Sequence, residues 1–273
     1  IVAEDLGVRL FVTSGPAIDH RGTLAGLLTQ MDDGDVLFID EIHRLSAAVE
    51  EYLYPAMEDL VIDVPSGTGA FTQTLRLNLK PFTLIGATTR SGMLTGPLRD
   101  RFGIIERLEH YDSTEISQVV LRSAQIMGVT IATEAAAEIG RRSRGTPRIA
   151  NRLLKRVRDF AEIEADGSID TKITKQALLV LGVDDLGMDR ADRQLLEAMI
   201  GNFSGGPVGL DSMAAALYED RDTIENEIEP FLIQNGFLQR TPRGRIVCDK
   251  AYVHLGINIE KDAAPSSLAA DSV

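Results

Sequence analysis

The most restrictive feature of the sequence is an apolar run, Val36-Leu37-Phe38-Ile39, that ends directly in two acids, Asp40 and Glu41. A run that is apolar at every position predicts a strand buried on both faces, as in a parallel sheet covered by helices. Similar runs occur at residues 8–12, 82–87 and 103–108, and helical patterns separate them. We therefore expect the chain to begin with an α/β unit whose parallel sheet has helices on both sides.

Composition excludes several classes of protein. The chain has 273 residues, 28 Lys and Arg against 41 Asp and Glu, and a formal net charge of −13, which argues against a surface coated in nucleic acid. Its one cysteine, Cys248, allows no disulfide within the chain, and this favours a reducing compartment. No apolar run approaches the roughly 20 residues that a membrane helix needs. We expect a cytoplasmic protein with no membrane partner.

The chain opens on a pattern typical of the end of a helix. Apolar residues at positions 1, 2 and 6 precede Gly7, a common helix stop, and residue 1 is not methionine. We expect that the N-terminal part of the protein is absent from this sequence. A processed or non-standard start is the alternative.

Three further blocks follow the α/β unit, which we assign to residues 1–111. Residues 112–182 are predicted to be helical, beginning with a cap at Asp112 and Glu115. Residues 183–262 contain three predicted helices and two strands around Pro242-Arg243-Gly244, the pattern of a winged helix. Residues 263–273 are small and polar, and we expect them to be disordered.

A predicted β-hairpin interrupts the α/β unit. Residues 61–64 and 74–79 flank Pro65-Ser66-Gly67-Thr68-Gly69, a typical turn composition. Leu75, Leu77 and Leu79 alternate, so one face of the hairpin is apolar and needs a partner if the hairpin projects.

Residues at the ends of two predicted strands have the chemistry of nucleotide hydrolysis. Asp40 could lie near Mg²⁺ and Glu41 could polarise the attacking water. Thr89, at the end of the strand at residues 82–87, could contact the γ-phosphate or that water. The alternatives are two acids that end a strand and cap the next helix, and a structural threonine.

Two arginines are candidates for phosphate contacts. Arg101 lies beside Arg99 and Asp100 and could reach the phosphate of a neighbouring subunit, or form an ordinary surface ion pair. Arg148 lies in the first turn of a helix that Thr146 would cap, where the helix dipole disfavours a cation unless an anion binds there. A solvated arginine is the alternative.

The predicted winged helix has arginines at the start of its third helix and along its wing: Arg221, Arg240, Arg243 and Arg245. Because the rest of that helix is acidic, it suits the major groove poorly. We expect contact with the DNA backbone through the wing and the helix start, or binding of a protein instead.

None of the 24 glycines precedes a lysine, so these 273 residues contain no G-x-x-x-x-G-K-[ST] phosphate loop. We do not expect tight nucleotide binding without that loop. The loop is expected upstream of the first strand.

Longer segments resemble the RuvB family, the bacterial Holliday junction motors of the AAA+ class. They occur in order over about residues 1–258: VLFIDEIHRLS, LYPAMED, PFTLIGATTR, LTGPLRDRFGI, RGTPRIANRLL, RVRDFAE, GGPVGLD and LQRTPRGR. The resemblance implies a large ATPase domain, a small all-α lid and a C-terminal winged-helix head, which are the three blocks assigned above. It also implies a homohexameric ring that uses ATP and Mg²⁺ to move duplex DNA at Holliday junctions with RuvA, before RuvC resolves the junction.

The resemblance also implies roles for individual residues. Asp40 and Glu41 would form the Walker B pair, with Asp40 at the metal, Thr89 would be sensor 1 and Arg101 the arginine finger that acts in trans. Tyr111 would stack near adenine, Arg148 would be sensor 2, and Glu58, Asp59 and Leu60 would lie near the nucleotide at the subunit interface. Leu75 and Leu77 would dock on RuvA, and Arg221, Arg240 and Arg245 would meet the DNA backbone.

Two other functions stay open at this point. One is a protein-remodelling or clamp-loading AAA+ protein, against which the winged helix argues. The other is a non-enzymatic fragment that binds DNA or RuvA without catalysis, which the missing phosphate loop favours.

Overall fold

The computed structural model describes residues 1–66 and 73–257, apart from the side chains at 65, 66 and 73. The tip of the predicted hairpin, the last residues of the predicted head and the predicted tail at 263–273 lie outside the described residues. The chain divides into two compact units, Ile1–Arg107 and Leu108–Val273.

The first unit is built on a parallel sheet with the strand order β1-β2-β5. Its strands are β1 (Leu10–Ser14), β2 (Val36–Asp40), β3 (Val61–Ser66), β4 (Gln73–Asn78) and β5 (Thr83–Gly86). Its helices are α1 (Val2–Leu6), α2 (Arg21–Thr29), α3 (Ala47–Glu58) and α4 (Gly96–Asp100), with 3₁₀ turns at Gly15–Ala17, Ile42–Arg44 and Ser91–Met93. The central strand β2 has Val36, Leu37 and Ile39 fully buried, as the apolar run predicts.

The predicted fourth strand at residues 103–108 is wrong. This segment has no regular structure, and the side chains of Ile104, Ile105 and Leu108 are exposed. An apolar run becomes a strand only where a neighbouring edge accepts its backbone hydrogen bonds, and this segment instead passes the border between the two units.

The hairpin formed by β3 and β4 is antiparallel, with Ile62 opposite Leu77 and Val64 opposite Leu75. Ile62 and Leu79 are buried, and Leu77 packs against the core of the first unit. Leu75, farther from the base, is 53% exposed. The apolar face is therefore covered at its base by the protein's own core, and its exposed part begins near Leu75.

The second unit begins with four helices around a small aliphatic core. They are α5 (Ser113–Met127), α6 (Thr133–Arg141), α7 (Pro147–Glu164) and α8 (Thr171–Val180). The predicted capping box of Asp112 and Glu115 is present, and α5 ends at Gly128 in the left-handed conformation. Thr146 precedes α7, but it does not cap that helix, because its hydroxyl donates to the carbonyl of Arg144 at 3.3 Å.

A winged helix completes the second unit. It contains α9 (Arg190–Phe203), α10 (Leu210–Leu217), α11 (Arg221–Thr223), a π-helical turn (Ile224–Ile228), α12 (Glu229–Gln234), β6 (Leu238–Thr241), β7 (Gly244–Val247) and α13 (Asp249–Leu255). The predicted third helix is therefore interrupted by a π turn, directly before Pro230, whose missing N–H breaks the regular pattern. Helix α13 was not predicted. No helix within the described ranges is long and apolar enough to cross a membrane.

We predict that Leu178→Ala lowers the free energy of unfolding by about 2–5 kcal/mol, because it leaves a cavity in a packed core. Leu178 is fully buried between the helices of the lid. Chemical denaturation of the purified chain, followed by circular dichroism, measures the change.

Leu179 supplies a matched control on the same helix, since its side chain is 78% exposed. Leu179→Ala should change the same free energy by less than about 0.5 kcal/mol. Equal losses for the two variants would contradict the assigned packing of α8.

Candidate functional site

The carboxyl end of the parallel sheet brings together residues from distant parts of the sequence. Asp40 ends β2, and Ser14 pairs with it at the end of β1. The chain after β5 stays close, since the N–H of Ala87 donates to Ile39 and the carbonyl of Ala87 accepts from Ile42, both at 2.9 Å. Open α/β sheets bind their ligands at this edge.

Glu41 and Thr89 meet at this edge. The Thr89 hydroxyl lies 3.4 Å from both carboxylate oxygens of Glu41. Asp40 is exposed, and its Oδ1 accepts the N–H of Glu41 at 2.9 Å. The structure thus places all three predicted residues together, with a carboxylate and a hydroxyl facing one another where an attacking water could be held.

Two further polar side chains, His43 and Thr88, lie next to Glu41. The Nδ1 atom of His43 lies 3.2 Å from the Glu41 carboxylate and 2.8 Å from the Thr88 hydroxyl, and the His43 side chain is almost fully buried. Sequence reasoning assigned no role to His43 or Thr88. The signal was their position, because each lies within two residues of an assigned residue.

The backbone at Glu41 is held in an unusual conformation. Glu41 has φ 49° and ψ 44°, in the left-handed region that a non-glycine residue adopts at a cost. Gly15 packs against it so closely that a Cβ there would lie 2.4 Å from the Glu41 carbonyl oxygen. The loop after β1 therefore fixes the turn that orients the carboxylate.

Arg101 and Glu58, both predicted to lie near a nucleotide, are also in contact. The Arg101 guanidinium lies 3.0 Å from the Glu58 carboxylate and stacks over the Tyr54 ring at 4.1 Å. Its Nη1 donates to the Pro97 carbonyl at 2.7 Å. The Nε atom of Arg101 is buried and has no hydrogen-bond partner among the described residues.

The segment that follows α3 has two different environments. Asp59 is exposed at the end of the helix, whereas Leu60, with φ 55°, packs its side chain against the core of the first unit. Of these two residues, only Asp59 has an exposed side chain that could contact a neighbouring molecule.

In the second unit, one turn holds the other two predicted nucleotide residues. The N–H of Tyr111 donates to the Gly145 carbonyl at 3.0 Å, and the Tyr111 ring is about half exposed. Arg148 is exposed in the first turn of α7, three residues after Gly145. The two side chains are thus anchored through one short segment.

The arginines of the wing differ in how much of their charge is available. Arg245 is 11% exposed along its side chain, and its guanidinium bonds through Nε and Nη2 to the buried carboxylate of Glu229. Arg240 is half exposed and bonds to Glu225. These contacts revise the expected role of Arg245, whose guanidinium is committed inside the head.

The two remaining arginines of the head lie at its surface. Arg243 is exposed at the turn between β6 and β7. Arg221 is exposed at the start of α11, and its Nη1 lies 2.9 Å from the exposed Asp211 carboxylate. An ion pair this exposed is weak and can open to another anion.

Comparison with known proteins covers nearly the whole chain. Residues 1–108 match the family model of the Holliday junction DNA helicase RuvB P-loop domain, 111–184 that of the RuvB AAA lid domain, and 185–256 that of the RuvB C-terminal winged helix domain. The chain belongs to the RuvB family. The resemblance stated from the sequence is therefore confirmed, together with the α/β domain, the all-α lid and the winged helix.

Solved structures of RuvB from Thermotoga maritima agree with this. The structure of the T. maritima RuvB Holliday junction branch migration motor is 49% identical, with a TM-score of 0.83. A lysine-to-arginine variant and a proline-to-glycine variant of that RuvB are also 49% identical, with TM-scores of 0.84 and 0.85. Each alignment covers 94% of this chain and 82% of the T. maritima chain.

We predict that Arg245→Ala lowers the free energy of unfolding of this RuvB head by about 3–5 kcal/mol, because it leaves the buried Glu229 carboxylate without its main partner. Thermal and denaturant unfolding of the chain measure the loss. The control is Arg243→Ala, which removes an exposed side chain of the same wing and should change stability by less than about 0.5 kcal/mol. An unchanged stability for Arg245→Ala would refute the internal role assigned to this arginine.

Proposed function

We propose that this chain is the motor subunit of a cytoplasmic DNA translocase that hydrolyses ATP to drive Holliday junction branch migration. The observation that carries the proposal is the Glu41–Thr89 contact beside Asp40 at the carboxyl end of the sheet, in a member of the RuvB family.

The residues at the sheet edge fit the hydrolytic half of an ATP and Mg²⁺ site. Asp40 offers an exposed carboxylate, and Mg²⁺ takes few protein ligands because it keeps water and binds phosphate oxygens. Mg²⁺ would neutralise charge on the phosphates during transfer. Glu41 would polarise the attacking water, and Thr89 would hold that water or the γ-phosphate. The phosphate-binding loop is assigned to no residue here, because its motif does not occur in the 273 residues.

Arginines would complete the reaction. Arg101 would act in trans as the arginine finger in a homohexameric ring, with Glu58, Asp59 and Leu60 beside the nucleotide of the adjacent subunit. The Glu58 contact holds the guanidinium in place until a phosphate competes for it. In the lid, Arg148 would bind phosphate and Tyr111 would stack near adenine.

The partners follow from two exposed surfaces. Leu75, supported by Leu77, would dock on RuvA, since its side chain stays exposed on an otherwise covered apolar face. Arg221, Arg240 and the wing tip at Arg243 would contact the DNA backbone, and Arg245 would hold the wing in shape against Glu229. RuvC would act on the DNA product.

A second candidate is favoured by the missing phosphate loop. In that case these 273 residues bind DNA or RuvA without catalysis. A nucleotide titration of the purified chain tests this second candidate. Tight ATP binding would contradict it, because a tight complex requires a phosphate cradle.

In a protein that joins this chain to a phosphate-binding loop, Arg101→Ala should leave ATP binding in place and reduce ATP turnover on the order of a thousandfold, because an arginine finger acts on the transition state. Fluorescent-nucleotide binding and phosphate release measure the two properties. Arg99→Ala is the matched control, because Arg99 lies two residues before Arg101 and is exposed; ATP turnover of this variant should stay normal. Mixed rings of Arg101→Ala and Asp40→Asn subunits should regain part of the turnover, and a complete lack of rescue would exclude action in trans.

Removing an exposed wing arginine should weaken DNA binding to all sequences alike. For Arg243→Ala, we expect a plot of the logarithm of the DNA association constant against the logarithm of the salt concentration to become shallower by about 0.9. This change corresponds to one phosphate contact fewer, and so to the release of about one counterion fewer. Fluorescence anisotropy of labelled duplexes over a salt series measures the slope. Lys250→Ala, on α13 of the same head, is the comparison variant, and an equal change for both would mean that the wing tip has no special part in binding.

A further inference from the structure

Two neighbouring arginines connect the lid to the winged helix. Arg142 and Arg144 follow α6, and their guanidinium groups reach α9 and the linker that precedes it, residues 183–189, some 40 residues later. Arg142 is 5% exposed, and the Arg144 side chain is nearly as buried. We call the two side chains and their partners the arginine junction.

Arg142 fixes the start of the linker. Its Nη1 donates to the Val183 carbonyl at 3.0 Å, and its Nη2 bonds to Glu138 and Asp185, each at 2.5 Å. Gly187, with φ 81°, passes so close that a Cβ there would lie 2.8 Å from the Arg142 carbonyl oxygen. The linker backbone therefore runs directly along the end of the lid.

Arg144 fixes the first helix of the head. Its Nε donates to the Gly187 carbonyl at 2.8 Å, and its Nη2 bonds to Asp192 and lies 3.1 Å from Asp189. Its guanidinium also stacks over the Phe231 ring at 4.0 Å, on α12. One side chain thus contacts the linker and two helices of the head.

Asp192 depends on this contact. It is fully buried, and burial raises the pKa of its carboxyl to about 7, while the charge of Arg144 acts to lower it. Its carboxylate also accepts the N–H of Asp189 at 2.8 Å, within the capping box of α9. A buried carboxylate of this kind needs both its cation and its hydrogen bonds.

The arginine junction is continuous with the turn that carries the proposed nucleotide residues. Gly145 follows Arg144 and accepts the N–H of Tyr111, and the Thr146 hydroxyl donates back to the Arg144 carbonyl. Pro147 and Arg148 then begin α7. A backbone displacement at Tyr111 or at the start of α7 therefore acts on the segment next to Arg144, whose side chain is ion-paired to the head.

We propose that Arg142 and Arg144 are positioning residues that make the lid and the winged helix move as one body, so that nucleotide-dependent movement at Arg148 is transmitted directly to the DNA-binding head. This inference rests on the proposed function. Domains joined by exposed linkers move independently by default, whereas here the linker and both sides of the border share buried ion pairs and a stacked ring.

The test uses the double variant Arg144→Met with Asp192→Asn in a protein that joins this chain to a phosphate-binding loop. Methionine keeps apolar contact with Phe231, and asparagine can still accept the Asp189 N–H, so no lone buried charge remains to unfold the head. Basal ATP turnover and DNA affinity should stay within about twofold, while stimulation of turnover by DNA should fall at least about fivefold, the lower range of coupling between sites.

The matched control is Arg141→Met, three residues earlier, whose exposed side chain pairs with Glu138 but does not bond to the linker or to α9; Glu138 keeps its bond to Arg142 in this variant. It should keep full DNA stimulation. Normal stimulation in the double variant would overturn the proposal. So would a loss of basal turnover that parallels a loss of thermal stability, because that pattern indicates a merely structural role.

A measurement without ATP separates this inference from the proposed function. Limited proteolysis of the 273-residue chain should cut residues 183–189 slowly in the wild type and in Arg141→Met, and much faster in the double variant. If the wild type has no DNA-stimulated turnover, the motor proposal fails, and the proteolysis result alone decides the arginine junction. Equal cleavage in all three proteins would overturn it.

Discussion

The functional edge of this RuvB chain depends on the burial of one short strand. Strand β2 is central in its sheet, between β1 and β5, and its residues Val36, Leu37 and Ile39 are fully buried, as in a strand covered on both faces. Pairing with β1 and β5 then fixes where it ends. Asp40 and Glu41 reach the sheet edge together with Thr89 for this reason.

Where sequence reasoning succeeded, the determinants were local. The run that became β2, the capping box of Asp112 and Glu115, and the stop at Gly128 each depend on residues within a few positions of one another. The contact between Glu41 and Thr89 could be predicted once the parallel sheet was predicted, since parallel strands bring their carboxyl ends to one edge.

Where it failed, the determinants were distant in the chain. Arg245 is separated from Glu229 by 16 residues, and Arg144 from Asp192 by 48, so neither ion pair leaves a periodic pattern to recognise. The segment at residues 103–108 has a strand-like composition but no strand edge beside it. The π turn before Pro230 is an exception, because its signal is local: a proline inside a predicted helix has no N–H to donate to the preceding turn.

The arginines of this chain illustrate how burial decides function when charge alone does not. Arg142, Arg144 and Arg245 have buried carboxylate partners, and moving such a guanidinium to an outside anion would leave an unpaired charge in the interior. Arg148, Arg221 and Arg243 are exposed, and binding a phosphate costs them little. In a chain with a net charge of −13, we therefore expect the proposed phosphate contacts to use these few exposed arginines. The buried ones hold parts of the fold together, Arg245 within the winged helix and Arg142 and Arg144 between the lid and the segment that follows it.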